Sequence, residues 1–311
     1  MKTSTDKQRL DTTETSEAGL LTTITSIAGV REFVRSARRD GKMIALVPTM
    51  GYLHEGHAAL VDAARRDNDI VIASLFVNPL QFGPNEDYDA YPRDEVRDKK
   101  LLTEHGCNLL FAPSVKEMYP EPMATTVELP ELARVLCGKS RPTHFAGVTT
   151  VVSKLFHIVQ PDNAYFGQKD GQQAAIIRKM VRDLNIPVSV ISVPTVREAD
   201  GLAKSSRNAY LTDEQRMHAP VLYRALTAAR QLLEQGERDT RRLKDTMQHI
   251  IAKEPEVNLD YAEVVRLSNL QSIGHAEGEI MLAVAAYVGK ARLIDNFQLN
   301  VGSNDVTNLY K

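Results

Sequence analysis

The chain has no tryptophan and only two cysteines, Cys107 and Cys137. Two thiols can build neither a disulfide scaffold nor a cysteine-based metal site, so the fold must rest on an ordinary apolar core. Charge of neither sign dominates: 38 Lys and Arg face 40 Asp and Glu, a formal net charge of −2. That balance argues against a general nucleic-acid surface but leaves a local phosphate site open. No apolar run approaches the length of a bilayer span, and the amino terminus lacks a basic region followed by an apolar core. Neither membrane nor nucleic acid is expected as a partner, and the chain reads as cytoplasmic.

What is present is a globular composition, 43% hydrophobic and 25% charged over 311 residues, long enough for two domains. The chemistry concentrates between Met43 and Leu60. Met43-Ile44-Ala45-Leu46-Val47 reads as a buried parallel strand, which Pro48 is expected to end because it has no N–H to give. Gly51 and Gly56 permit a tight backbone, and Ala58, Leu60, Val61, Ala63 and Ala64 begin a helix. His54 and His57 stand at the mouth of that helix, where unpaired N–H groups and the positive dipole end suit a phosphate. Zinc is the competing reading. The metalloprotease pattern needs two histidines four apart on one helix, whereas His54-Glu55-Gly56-His57 is one residue short and broken by glycine, so zinc is set aside.

Residues 1–24, rich in Thr and Ser, are expected to form a loose tail. Residues 25–195 then alternate helices and strands in the manner of a Rossmann-like α/β domain with a parallel sheet. Ile27–Arg39 reads as an amphipathic helix closed by Gly41, and strands are expected at 69–77, 108–112, 164–166 and 188–193. A further short strand and helix are expected within 125–136, and an apolar helix over 148–159. The strand ends carry Asn78 and Gln81, uncharged groups suited to a hydroxyl or carboxylate, although Asn before Pro is also an ordinary turn residue. They also carry Gly167-Gln168-Lys169-Asp170 with Gln173 close behind; Asp170 serves either a ribose hydroxyl or the cap of the next helix. The basic loop around Arg141 is a second anion site or a solvated loop, and Asp98 faces either metal or solvent. Gly201 leads into Lys204-Ser205-Ser206-Arg207, two cations flanking two hydroxyls, a pattern that would clamp a polyphosphate. Residues 196–311 turn to helices followed by strands, a smaller α+β domain that closes over the site, opening with a long helix from Thr212.

Five blocks in order resemble the pantoate–β-alanine ligase (pantothenate synthetase) family of the HIGH/KMSKS nucleotidyltransferase superfamily. They are Pro48 to His57, Phe76 to Phe82, Arg141 to Gly147, Phe166 to Asp170, and Lys204 to Asn208. The resemblance spans residues 27–298 and implies ATP-dependent condensation of pantoate with β-alanine through a pantoyl adenylate, releasing AMP and pyrophosphate. It further implies that Met50, Gly51, Tyr52, Leu53, His54, Glu55, Gly56 and His57 line the ATP site, with His57 the proton donor and His54 and Lys169 assisting. Gly167, Gln168, Lys169, Asp170, Val196, Lys204, Ser205, Ser206 and Arg207 would complete that site. Gln81, Gln173, Asn78 and Arg141 would hold pantoate and β-alanine, Asp98 would meet Mg2+, and the assembly would be a homodimer. In the family, position 204 is often apolar and position 168 often Glu; here they are Lys204 and Gln168.

The chemistry follows from leaving groups. A carboxylate is a poor acyl donor until attack on the α-phosphate of ATP converts it to a mixed anhydride, from which the β-alanine amine displaces AMP. The competing classes are a nucleotidyltransferase that keeps the nucleotide in its product and a nucleotide sensor without catalysis. Two glutamines beside the phosphate site favour a hydroxy-acid pocket over the first, and the clustering of His, Lys and Arg disfavours the second.

Overall fold

Ile44, Ala45, Leu46 and Val47 are all completely buried, because the strand they form lies inside a sheet covered on both faces. The structure is a computed structural model that describes residues 14–15, 21–84, 86, 88–303 and 305–310. The first domain runs β1 (Glu14–Thr15), β2 (Thr22–Ile24), α1 (Ile27–Arg39), β3 (Ile44–Thr49), α2 (Glu55–Asp67), β4 (Ile70–Leu75), α3 (Glu95–Glu104), β5 (Leu109–Phe111), α4 (His144–Val159), β6 (Asn163–Gly167), α5 (Gly171–Asp183) and β7 (Ser189–Val193). Its sheet has the order β1-β2-β5-β4-β3-β6-β7, parallel from β2 to β7 with β1 antiparallel at the edge. From β3 the chain first winds outward through β4 and β5, then returns to place β6 on the other side of β3. The crevice at the carboxyl ends of β3 and β6 is thus the switch point where open α/β sheets bind ligands.

Local chemistry accounts for these elements. Ser26 caps α1 by accepting from the Gly29 N–H at 3.0 Å, and Val30, Val34 and Ala37 give it a buried stripe at helical spacing. One sheet face packs on α1 and α4 through Val34, Ile72, Val152 and Phe156, and the other on α2 through Val61 and Ala64. The second domain comprises α6 (Asp213–His218), α7 (Val221–Glu234), α8 (Thr240–Ile251), β8 (Val257–Arg266), β9 (Gly278–Val288), β10 (Ala291–Val301) and β11 (Val306–Asn308). Its strands form an antiparallel sheet of order β11-β10-β9-β8 covered by α7 and α8. The two domains share an apolar seam in which Phe145 and Ile176 meet Val265 and Met281.

Several expectations are corrected. Pro48 does not end its strand: β3 continues to Thr49, with Pro48 paired to Ser74 of β4. Successive N–H groups in a strand point to opposite neighbours, and Thr49 points its N–H at Ser74. The donor that Pro48 lacks would therefore face β6, where pairing has already stopped at Leu46. Thr22–Ile24 is not tail but the strand beside β5, with Leu21 buried next to it. The rest of the expected tail, apart from Glu14 and Thr15, lies outside the described residues. No strand forms at 125–129; instead Val127 docks on α4 by hydrogen bonds with Thr149 and Thr150. The helix expected at 148 begins at His144, and the long helix from Thr212 is cut at Pro220, whose missing N–H cannot continue the ladder.

The helix α4 comes very close to the 3-10 turn Pro79–Gln81 that follows β4. A Cβ at Gly147 would lie 2.3 Å from the Leu80 carbonyl oxygen and 2.6 Å from Gln81 Cα. Backbone atoms cannot rotate away as a side chain would. Gly147→Ala should therefore lower stability by about 1–3 kcal/mol through overpacking. Urea unfolding that gives the wild-type midpoint would show that the helix can back away without cost.

Candidate active site

The turn between β3 and α2 is held open by an acid from elsewhere in the chain. Gly51 has φ +88° and Tyr52, which is not glycine, has φ +51°. The N–H groups of Tyr52 and Leu53, exposed by that turn, donate to the two oxygens of Asp98 on α3 at 2.8 and 2.7 Å. Burial pushes the Asp98 carboxyl above the usual carboxylate range, against the pull of these two donors. The Arg97 guanidinium beside it lies over the Tyr52 ring, 4.9 Å from its centroid.

The turn delivers His54 to the cap position of α2. The Gly56 N–H donates to His54 Nδ1 at 3.1 Å, and the His54 N–H donates to His57 Nδ1 at 3.3 Å. A ring nitrogen that accepts carries no proton, so both imidazoles are Nε2–H tautomers. Burial, then Lys169, lowers His54 to about 4; burial, then His54 and Lys169, holds His57 well below the usual imidazole range. Two neutral rings, their centroids 4.2 Å apart, thus add two N–H donors to a helix amino terminus. Gly56 is required here, since a Cβ would stand 2.8 Å from the His54 ring.

His54 and His57 open into a cavity of about 220 Å³ that also receives Met50, Gln81, Lys169 and Gln173, and Lys204 to Arg207 from across the domain boundary. It adjoins a larger interdomain cleft of about 990 Å³, with which it shares Arg141, His144, Lys169, Asp170, Gln173, Ser205 and Arg207. The sequence blocks converge on the smaller chamber. Ligand pockets commonly run to about 300–1,000 Å³, so a nucleotide would extend from it into the larger one.

Opposite the helix mouth, Gln81 donates from Nε2 to Met50 Sδ at 2.8 Å. A thioether is a weak acceptor, readily exchanged for a carboxylate or hydroxyl oxygen. His144 Nδ1 and Arg141 bond the Gln81 carbonyl at 2.9 and 3.4 Å, and Arg141 also grips Glu86. Burial works to raise the Glu86 carboxyl, but the Arg141 guanidinium prevails and holds it below the usual range. His144, lowered to about 4 by burial and then Arg141, is the opposite tautomer: Nδ1–H donates to Gln81, and Nε2 accepts from Arg141 at 3.1 Å.

The profile of the family described as pantoate-beta-alanine ligase matches residues 22–298. The chain belongs to this family. It is 55% identical over 276 residues to a pantothenate synthetase of Moorella thermoacetica, covering 89% of this chain and 98% of that one. With a pantothenate synthetase of Caldicellulosiruptor bescii the identity is 52% over 273 residues, 88% and 97% of the two chains. The solved pantothenate synthetase of Thermus thermophilus superposes with a TM-score of 0.85 at 49% identity, covering 89% of this chain and 98% of that one. A Francisella tularensis pantoate-beta-alanine ligase, complexed with beta-gamma ATP and beta-alanine, gives 0.73 at 35% identity, with 90% and 98% covered.

Within this pantoate–β-alanine ligase fold, some expected site residues stand back from the cavity. Gly51, Tyr52 and Leu53 form the turn, and Leu53 packs in the core. Asn78 is engaged within the protein: its Nδ2 donates to the Gly147 carbonyl and Gln81 Oε1, and its Oδ1 accepts from Tyr119 and the Leu80 N–H. Asp98 does not face solvent: it is buried, with both oxygens turned to the backbone of that turn. Asp170 makes no capping bond to α5, so capping does not explain it; its carboxylate lies 3.6 Å from Lys169 Nζ. The turn that carries both is held by the second domain, where Asn296 Nδ2 donates to the carbonyls of Gln168 and Lys169 at 3.0 and 2.8 Å. The cluster of polar Asp295, Asn296 and Gln298 in the middle of β10 was the available signal for that contact. Asp295 grips Arg197 in a two-pronged bond of 2.6 and 2.9 Å, with the guanidinium over the Tyr223 and Phe297 rings. This fastens the hairpin that leads to Lys204 onto β10.

The imidazole values have a direct test. Folded-state values below the unfolded 6.5 mean that stability is complete above pH 6.5 and is lost as pH falls toward 4, because only the unfolded chain binds the protons there. Proton–carbon NMR of the nucleotide-free protein should show His54 and His144 staying neutral until about pH 4. Midpoints near the ordinary imidazole value of 6.5 in the folded protein would overturn the burial account.

Proposed function

We propose that the chamber between β3 and β6 is where the carboxylate of pantoate is activated by ATP. The reaction is the one of the family to which the chain belongs: ATP-dependent condensation of pantoate with β-alanine through pantoyl adenylate, releasing AMP and pyrophosphate. The observation that carries the reading is the pair of Nε2–H imidazoles at the α2 mouth, which line one cavity together with Lys169 and the Lys204–Arg207 segment. Neutral donors and fixed cations around a single point favour charge that grows there during transfer.

His57 and His54 would donate to the phosphate chain, with His57 nearest the transferred phosphorus. Lys169, Lys204 and Arg207 would take up charge on the departing pyrophosphate, while Ser205, Ser206, Gly167, Asp170 and Val196 shape the nucleotide wall. Gln81, freed from Met50, and Gln173 would orient the pantoate carboxylate for in-line attack. The β-alanine amine then attacks the acyl carbon, AMP leaves, and the amide forms. Arg141, tied to Glu86, would serve the amino-acid carboxylate only by sharing its guanidinium, so its main action is to hold Gln81.

The protein residues do not fit a resident Mg2+. Both Asp98 oxygens are occupied by backbone N–H groups, and no group of three or more His, Cys, Asp or Glu able to hold a metal occurs among the described residues. No step is therefore derived through the metal. The homodimer and the cytoplasmic location belong to the same proposal and are supported by the family resemblance; no helix among the described residues is long and apolar enough to cross a membrane.

The path of oxygen tests the reaction. Pantoate labelled with heavy oxygen in its carboxylate should yield singly labelled AMP and unlabelled pyrophosphate. Labelled inorganic phosphate with ADP would mean an acyl phosphate instead and would sink the assignment.

A further inference from the structure

The ammonium of Lys204 is shared between two carboxylates. Nζ lies 2.9 Å from Glu198 Oε1 and 3.3 Å from Glu55 Oε2. The two acids come from different parts of the molecule. Glu198 belongs to the hairpin that carries Lys204, closed by the Arg197–Ala203 bridge and the Lys204 N–H to the Val196 carbonyl, and fastened to β10 through Arg197. Glu55 is the first residue of α2, between the cap histidine and Gly56, and belongs to the other domain. Glu198 therefore travels with the lysine, whereas Glu55 meets it only across the boundary.

We propose that Glu55 acts against nucleotide binding: its carboxylate and the polyphosphate compete for the same Lys204 ammonium, so that Glu55 releases Lys204 when ATP enters and recovers it when pyrophosphate leaves. The location fits. Lys204 lies against the helix mouth, its Cβ 4.0 Å from where a Cβ on Gly56 would stand, beside the imidazoles that face the phosphate position. So do the magnitudes. The Glu55 side chain is 68% exposed, so solvent screens its pairing with Lys204. An exposed ion pair contributes little, whereas a charge-assisted bond to a phosphate held inside the chamber is stronger. A triphosphate can displace Glu55, and Glu55 is strong enough to loosen the triphosphate. The Glu198 pair is better shielded, with the lysine 20% and the acid 34% exposed, and it keeps the ammonium aimed while its other partner changes.

This rests on the phosphate site described under the proposed function, and a double-mutant cycle separates the two. The measurements are the ATP dissociation constant by calorimetry on the full chain and the inhibition constant of pyrophosphate. Lys204→Ala should weaken ATP about tenfold or more, as expected for loss of a charge-assisted bond. Glu55→Gln should tighten ATP and pyrophosphate together, by about two- to fivefold. Its KM for ATP should fall by a larger factor than kcat changes. In the Lys204→Ala background the Glu55→Gln gain should largely vanish, because nothing remains to compete for. An equal gain in both backgrounds would mean general repulsion by the Glu55 charge and would overturn the proposal, as would no gain in the single variant. A wild-type chain that binds no ATP would overturn the phosphate site and this proposal with it.

Discussion

The carboxylate of Asp98, accepting from the N–H groups of Tyr52 and Leu53, is the contact on which the site depends. A turn with positive φ at both Gly51 and Tyr52 is strained at the tyrosine, by about 1–2 kcal/mol for a non-glycine residue in that region. Two buried hydrogen bonds from adjacent backbone donors to one carboxylate offset that strain and fix the direction in which the chain enters α2. The cap geometry follows from this direction, and both imidazole tautomers follow from the cap. Removing the acid would leave two buried donors without an acceptor and let the helix mouth drift from the carboxyl end of β6.

The second constraint is the joining of the domains. Asn296 holds the carbonyls of Gln168 and Lys169, and Asp295 holds Arg197, so neighbouring residues of one strand position both cationic segments of the cavity. Gly171 makes the approach feasible, since a Cβ there would lie 2.7 Å from Gln298 Nε2. The strand β10 thereby couples Lys169 and Lys204 to the packing of the second domain. A cavity assembled in this way responds to domain position without any change in its own side chains.

The charge state of the site follows from burial. Two imidazoles near Lys169 would repel each other and the lysine if protonated, and burial removes the solvent that would shield them. Kept neutral, they donate hydrogen bonds and leave the positive charge to Lys169, Lys204 and Arg207, whose amine and guanidinium groups carry it at little cost. Neutral donors of the first domain thus share one cavity with cations from both domains, Lys169 from the first and Lys204 and Arg207 from the second.

Much of this was legible in the chain. The run Ile44–Val47, the glycines of the turn, the histidines at the helix mouth and the cation–hydroxyl pattern at Lys204–Arg207 are local signals, set by backbone preference and side-chain chemistry within a few residues. They determined the α/β class and the family, and they marked the helix mouth as the candidate phosphate site. Other features depended on contacts between distant segments, which no local pattern encodes. Asp98 reads from sequence as a solvated or metal-facing acid and is instead the acceptor for a turn 45 and 46 positions away. Asn78 reads as a ligand or a turn residue, and its bonds to the Gly147 carbonyl and Tyr119 come from segments far along the chain. Pro48 reads as a strand breaker, but which neighbour its missing donor faces is settled only by the sheet order. The sharing of Lys204 between Glu55 and Glu198 arises only where the two domains meet. The sequence by itself determined which groups were available, because that is written in residue type and spacing. Only the tertiary structure decided which donor each acceptor meets, because hydrogen bonds and ion pairs act over about 3 Å, a distance unrelated to separation along the chain.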